Sequence, residues 1–317
     1  MVVRFDQFAR ALSIAALAIT VGAPPALADP TLRRRDATLV DLLRLPYRSS
    51  RLFAMPIADV VGAYQLTLSG DGSLLQETGV LSFAGVIALG FGDLAQLEYR
   101  HTAAISVEHT SAPVPAVGVQ LKAPIPERKY VPALAVAFRL GRPRRETFGA
   151  TTVDESVTDL YFVTRLALWG ALERVTIHAG LRVSSAKIDV GGDRDLEPVD
   201  EYVVLPAFGL DIKATNSAHF VAEAGLVPQF HYDRDTGEAP TIGRGLLGRV
   251  GVRWFIVPAF SIDGSVGYQL EVAGSRAADG LDDVVQWDIR LGAELFIPWG
   301  ALACKGFGIF CQQGGAP

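Results

Sequence analysis

The stretch ERVTIHAGLRVSSAKID, residues 173 to 189, alternates Val175, Ile177, Ala179, Leu181 and Val183 with Thr176, His178, Gly180, Arg182 and Ser184. A period of two puts the first set on one face of a β-strand and the second on the other. The pattern recurs along most of the chain. It predicts strands at 60–69, 78–91, 94–103, 115–123, 131–140, 158–169, 173–186, 200–213, 217–231, 245–256, 259–272 and 283–297. Most are longer than the roughly 5–6 residues usual in soluble domains. A strand that crosses a bilayer at a tilt needs about 9–11.

The connections carry a second regularity, because they alternate long and short through the whole chain. The short ones are GD at 92–93, APIPERK at 123–129, GALE at 170–173, ATNS at 214–217 and VP at 257–258. Between them lie longer polar stretches such as GDGSLLQE, TAAISVEHTSAP from 103, GRPRRETFGATTVDESV from 141 and YDRDTGEAPTIGRG. A soluble sandwich has no reason to sort its loops, whereas a transmembrane barrel has short periplasmic turns and long extracellular loops. With an even strand count, both termini are expected on the periplasmic side.

The faces give a third test. The ninth predicted strand sets Phe220, Ala222, Ala224, Leu226 and Phe230 against Glu223, Gln229 and His231. The eleventh sets Phe260, Ile262, Val266, Tyr268 and Leu270 against Asp263, Gln269 and Glu271. The twelfth sets Val285, Trp287, Ile289, Leu291, Ala293 and Leu295 against Asp288, Arg290 and Glu294. Aromatic residues gather toward strand ends, as interfacial girdles require. A soluble lipocalin-type barrel would put polar residues outside and apolar ones in its pocket.

The two ends of the chain differ from the middle. Arg4 and Arg10 precede the apolar run ALSIAALAITVGA and the small residues ALA at 26–28, the pattern of a signal peptide over 1–28. Residues 29–59 are expected to form a periplasmic segment, with a short helix around Leu39, Leu42, Leu43 and Leu45, a lumen plug and an unstructured leader all open. Cys304 and Cys311 are the only cysteines. In an oxidising compartment they are expected to pair as a local staple in a periplasmic tail over 298–317. The formal charge of −5 leaves no basic excess for nucleic acid.

From about residue 60 onward the chain resembles the outer-membrane β-barrel proteins of Gram-negative bacteria. Its last strand, RLGAELFIPW, is similar to the C-terminal signal read by the barrel-assembly machinery, with Arg290 as the polar position, Gly292 as the glycine, and Leu295 and Ile297 as alternating hydrophobics. Here the chain continues beyond that strand, where such proteins usually end. The resemblance implies outer-membrane lipids and the assembly machinery as partners. The expected fold is a single all-β antiparallel barrel of about twelve strands over 60–297.

The polar face then lines a lumen. Positions of inward parity carry Arg100, Lys122, Arg139, Arg165, Arg182, Lys213, Arg249, Arg253 and Arg290, against Glu98, Asp159, Asp211, Glu223, Asp263, Glu271, Asp288 and Glu294. Such near balance argues against a strongly ion-selective pore, which shows rings of one sign. Hairpin register places Asp159 near Arg182, Arg253 near Asp263, and Asp211 near His219. His178 and Ser184 are roughly 20 Å apart along one strand, too far for a base and its nucleophile. No Gly-rich phosphate loop, HExxH or CxxC is present, so no catalytic residue, metal or cofactor is assigned. The function expected is a narrow, weakly selective pore for small polar solutes or a structural envelope protein. The alternatives are an outer-membrane hydrolase and an accessory barrel for polymer export.

Overall fold

The computed structural model describes residues 47, 49–76, 81–92, 94–105, 110–125, 131–192, 196–232, 239–271 and 287–307. The expected signal peptide, most of the preface with its predicted helix, Cys311 and the last residues of the tail lie outside them.

The alternating segments form one antiparallel sheet. Its strands are β1 (Leu66–Gln76), β2 (Leu81–Phe91), β3 (Ala95–Ile105), β4 (Thr110–Lys122), β5 (Ala133–Gly141), β6 (Arg144–Phe148) and β7 (Thr151–Ala167). They continue as β8 (Val175–Gly191), β9 (Val199–Lys213), β10 (Ala218–His231), β11 (Thr241–Val257), β12 (Phe260–Glu271) and β13 (Trp287–Ile297). β5 and β6 both pair with β7 and make one interrupted stave, so the thirteen strands form a twelve-stave barrel. Pairing of β1 with β13, from Leu66↔Ile297 to Gln76↔Asp288, closes it. Closure pairs every stave on both sides, the condition for a sheet to sit in lipid, although β9 and β10 pair only from Lys213↔His219 to Ala207↔Gly225. A final helix, α1 (Trp299–Phe307), follows β13. It tucks against the turn before β1, where the Gly300 amide donates to the Tyr64 carbonyl at 3.1 Å and Trp299 meets the Tyr64 ring edge-on.

The faces sort as the alternation predicts. Phe83, Ile87, Leu97, Phe162, Leu181, Phe208, Trp254, Ile262, Tyr268 and Leu291 are exposed on the outside of the barrel. Glu98, Arg139, Asp159, His178, Arg249, Arg253, Asp288 and Glu294 are buried on its inside.

Three sequence expectations are corrected. The first strand starts at Leu66, not residue 60, because Val60, Val61 and Ala63 pack inside the barrel rather than in its wall. Tyr64 then takes a left-handed conformation, φ 57°, and turns the chain into β1. GDGSLLQ, read as loop, is largely strand, with Gly70 paired across Gly85 and Gly72 across Phe83. GRPRRETFGATTVDESV, also read as loop, is a hairpin: Arg144 pairs with Glu155 and Phe148 with Thr151 around Gly149. Gly149 has φ 62°, which the tight turn needs and glycine adopts without steric penalty. In the last two cases polar residues were taken for loop because strands were expected to stop at the membrane boundary.

Candidate functional site

A barrel of twelve staves is wider than the eight that side chains alone can fill. Here the chain itself fills the space. Residues 49–63 lie in the lumen at the end marked by the short turns. Ser50 to Ile57 form a tight loop, with the Leu52 amide donating to the Met55 carbonyl and the Ile57 amide to the Ser50 carbonyl, each at 3.0 Å. Leu52, Met55, Ile57 and Ala58 pack on an apolar strip of the inner wall made by Ala133, Ala135, Ala137, Tyr161, Val163 and Val221. The inner face is therefore not polar throughout, as the alternation suggested. Where the wall must admit Leu52 it carries Gly209, and a Cβ there would overlap the Leu52 side chain.

Polar wall residues bind the plug's backbone, whose own donors and acceptors would otherwise be stranded. The Glu223 carboxylate accepts from the amides of Phe53, Ala54 and Met55 at 3.1, 3.0 and 3.1 Å. On the neighbouring strand, the Arg253 guanidinium donates to the carbonyls of Arg51 and Leu52 at 3.3 and 2.6 Å. Gln120 donates to the carbonyls of Ile57 and Asp59 at 2.6 and 2.8 Å, and the Val61 amide donates to Gln96 at 2.9 Å. The Asp59 carboxylate is clasped by Arg165 at 2.5 Å and Lys122 at 3.3 Å. Hydrogen bonds with a charged partner contribute about 1.5–3 kcal/mol each when buried.

The remaining inward charges pair across the wall. Arg139 meets Glu98 at 3.2 Å and Arg182 meets Asp159 at 2.7 Å, with Tyr161 lying under both guanidinium groups. Arg249 meets Asp288 at 2.8 Å. Arg290 bridges Asp288 and Asp71, the latter at 3.0 Å. Arg253 stands 3.7 Å from Asp263. His219 and Asp211 meet at 2.9 Å across the short turn between β9 and β10. Arg100 lies inside without an ion pair among the described residues, and His178 is buried with its Nδ1 unpartnered. Ser184 bonds the Asp159 carboxylate at 2.7 Å, so nothing joins it to His178. Among the described residues no group of His, Cys, Asp and Glu could hold a metal ion.

Sequence reasoning missed Arg51, Asp59 and Asp71, which it had placed in a leader, at a leader's edge and in a loop. It also passed over Gln96 and Gln120, whose inward parity was visible but whose side chains are uncharged. In the last strand Gly292 faces the lumen beside Asp263, while Leu295 is exposed on the outer face. Cys304, on α1, is disulfide-bonded, and no cysteine is free among the described residues.

A closed antiparallel barrel, apolar outside and charged inside, defines a transmembrane β-barrel of the outer-membrane kind. No family model and no curated protein sequence matches the chain. Solved structures similar to it are all barrels of that kind. The NanC porin aligns with a TM-score of 0.47 and 10% identity over 73% of this chain and 98% of its own. The translocator domain of the autotransporter NalP from Neisseria meningitidis gives 0.42 and 14% over 73% and 86%. The KdgM porin gives 0.42 and 9% over 73% and 98%. No residue of this chain takes a role from them.

Proposed function

We propose that this protein is an outer-membrane channel for small polar solutes whose resting lumen is closed by its own residues 49–63. One observation carries the reading: the plug is joined to the wall by side-chain clasps and one short apolar strip, and not by strand pairing. Its single β-bridge, Arg51↔Pro56, is internal. Such a segment can leave without breaking the barrel's hydrogen-bond ladder. The wall it would uncover carries the paired charges expected of a wet, weakly selective conduit. On this reading the short turns and both termini face the periplasm, lipids cover the outer aromatic rows, and the assembly machinery reads Gly292, Leu295 and Ile297.

Planar-bilayer recording of the full chain and of a variant lacking residues 29–62 tests the proposal. The full chain is expected to be silent or to open rarely, and the shortened one to give steady conductance steps. A shortened barrel that folds, as judged by heat-modifiable gel migration, yet stays silent would assign the protein a structural role in the envelope instead.

A further inference from the structure

The seam between plug and wall holds a cavity of about 30 Å³. Arg51 of the plug and Arg100, Arg249, Arg253 and Arg290 of the wall line it, against the two carboxylates Asp71 and Asp263. Local charge is thus segregated within a lumen that is balanced as a whole. Arg249 and Arg290 are compensated by Asp288 and Asp71. Arg253 gives both terminal nitrogens to plug carbonyls and approaches Asp263 only to 3.7 Å. Glu294 stands 3.9 Å from Arg253, and Glu98 is held by Arg139 at 3.2 Å. Arg51 and Arg100 make no ion pair among the described residues, and Arg51 is 8% exposed and Arg253 6%. The Nη1 of Arg51 and the Nε atoms of Arg100 and Arg253 are buried donors without an acceptor.

Buried guanidinium groups without a counter-charge are strongly unfavourable, and so are orphaned N–H donors. Water could accept the hydrogen bonds but not neutralise the charge. We propose that this cavity is a small-anion site, and that the bound anion locks the plug to the wall by bridging Arg51 to Arg100 and Arg253. A water needs about 10–15 Å³ of such space, so two or three non-hydrogen atoms fit. That selects a halide or a single carboxylate, the latter matched to the planar guanidinium fork. The carboxylate could belong to a free small acid or to the end of a larger solute entering from above. The inference rests on the plug being seated and not on the barrel conducting, so a silent barrel leaves it standing.

The test uses the full-length protein in detergent at constant ionic strength, with gluconate, which is too bulky, replaced by bromide or by formate. Hydrogen exchange of residues 49–63 is the readout, alongside anomalous scattering from bromide-soaked crystals. The expected result is a bromide peak in the cavity and at least several-fold slower exchange in bromide, in formate or in both. A response to bromide alone assigns a halide, and a response to formate extends the site to solute carboxylates. Arg51→Gln, which alters no residue of a barrel strand, and Arg100→Gln should each abolish the difference between anions while heat-modifiable migration is retained. Absence of the bromide peak together with equal exchange in all three salts would overturn the site.

Discussion

At the short-turn end the barrel wall meets residues 49–63 through Glu223, Arg253, Gln96 and Gln120. At the opposite end the inner faces of the long hairpins are apolar: Val153, Ile188 and Val190 are buried together, with Phe230, Tyr232 and Ile242 packed against them. This second cluster joins β7 and β8 to strands that are not their neighbours in the sheet, through Phe230 and Ile242, which share the parity of the outward-facing Phe220 and Trp254. The difference follows from what each region covers. A plug made of irregular backbone presents amides and carbonyls, and the wall answers with carboxylate, guanidinium and amide groups. The hairpins already satisfy their backbones by pairing, so only side chains remain to be buried and hydrophobic contact suffices. One contact is held by directional bonds and the other by packing, and the two should fail under different changes.

Glu223→Ala should separate them most. It removes the acceptor of three plug amides without touching the hairpin cluster. Buried donors left unsatisfied cost about 1–3 kcal/mol each, although an emptied site can admit water. The expected outcome is a roughly hundredfold rise in hydrogen exchange at residues 53–55, about 3 kcal/mol of local stability, with unchanged exchange at Ile188 and Val190. An equal rise at both places would mean that the interior opens as one unit.

Gly209→Val attacks the same end by volume. The new side chain would occupy the space of Leu52, and overpacking of this kind costs about 1–3 kcal/mol. Because β9 keeps its pairing with β8 and β10, the barrel should still resist cold detergent while residues 49–63 become sensitive to protease. A variant that failed to assemble would show that the plug is needed to build the wall.

Val190→Ala is the converse test. Its side chain is fully buried in the hairpin cluster, and deleting two methyl groups there should cost about 1–2 kcal/mol. Exchange should rise along 186–191 and stay constant in the plug.

These two regions were unequally legible in the sequence. The membrane-facing rows followed from period-two alternation because lipid imposes one rule on every outward position. Asp159 with Arg182, and Arg253 with Asp263, are close because short turns fix hairpin register, and that arithmetic needs only sequence. The plug was not legible, since Leu52, Met55 and Glu223 meet across a separation that no local pattern encodes. Val60 and Val61 even imitated a strand, because burial inside the barrel selects the same residues as burial in its wall. The hairpin extensions were hidden for the opposite reason. Outside the bilayer nothing requires an apolar outer face, so Glu155 and Asp154 could sit on paired strands and read as loop.

The smallest effect is expected at the hairpin tip, where Arg145 of β6 holds Asp154 of β7 at 2.6 Å. Counting back about 9–11 residues from the short-turn end of β7 places Asp154 beyond the spanning segment. The Arg145 hydrogen bond is the first cause that draws the Asp154 carboxyl below its ordinary 3.8. A depressed carboxylate stabilises the fold above its unfolded value and loses that contribution as pH falls through the lowered one. Tip protection measured by exchange at 145–154 should therefore be constant from neutral pH to about 5 and weaken only below about 4, the ordinary carboxylate range. Arg145 itself is fully exposed, so solvent screening leaves the pair little weight. Arg145→Ala should remove the acid dependence of the tip without moving the plug, the Val153–Ile188–Val190 cluster or the unfolding midpoint at neutral pH. A change in any of those would show that the tip is coupled to the barrel interior.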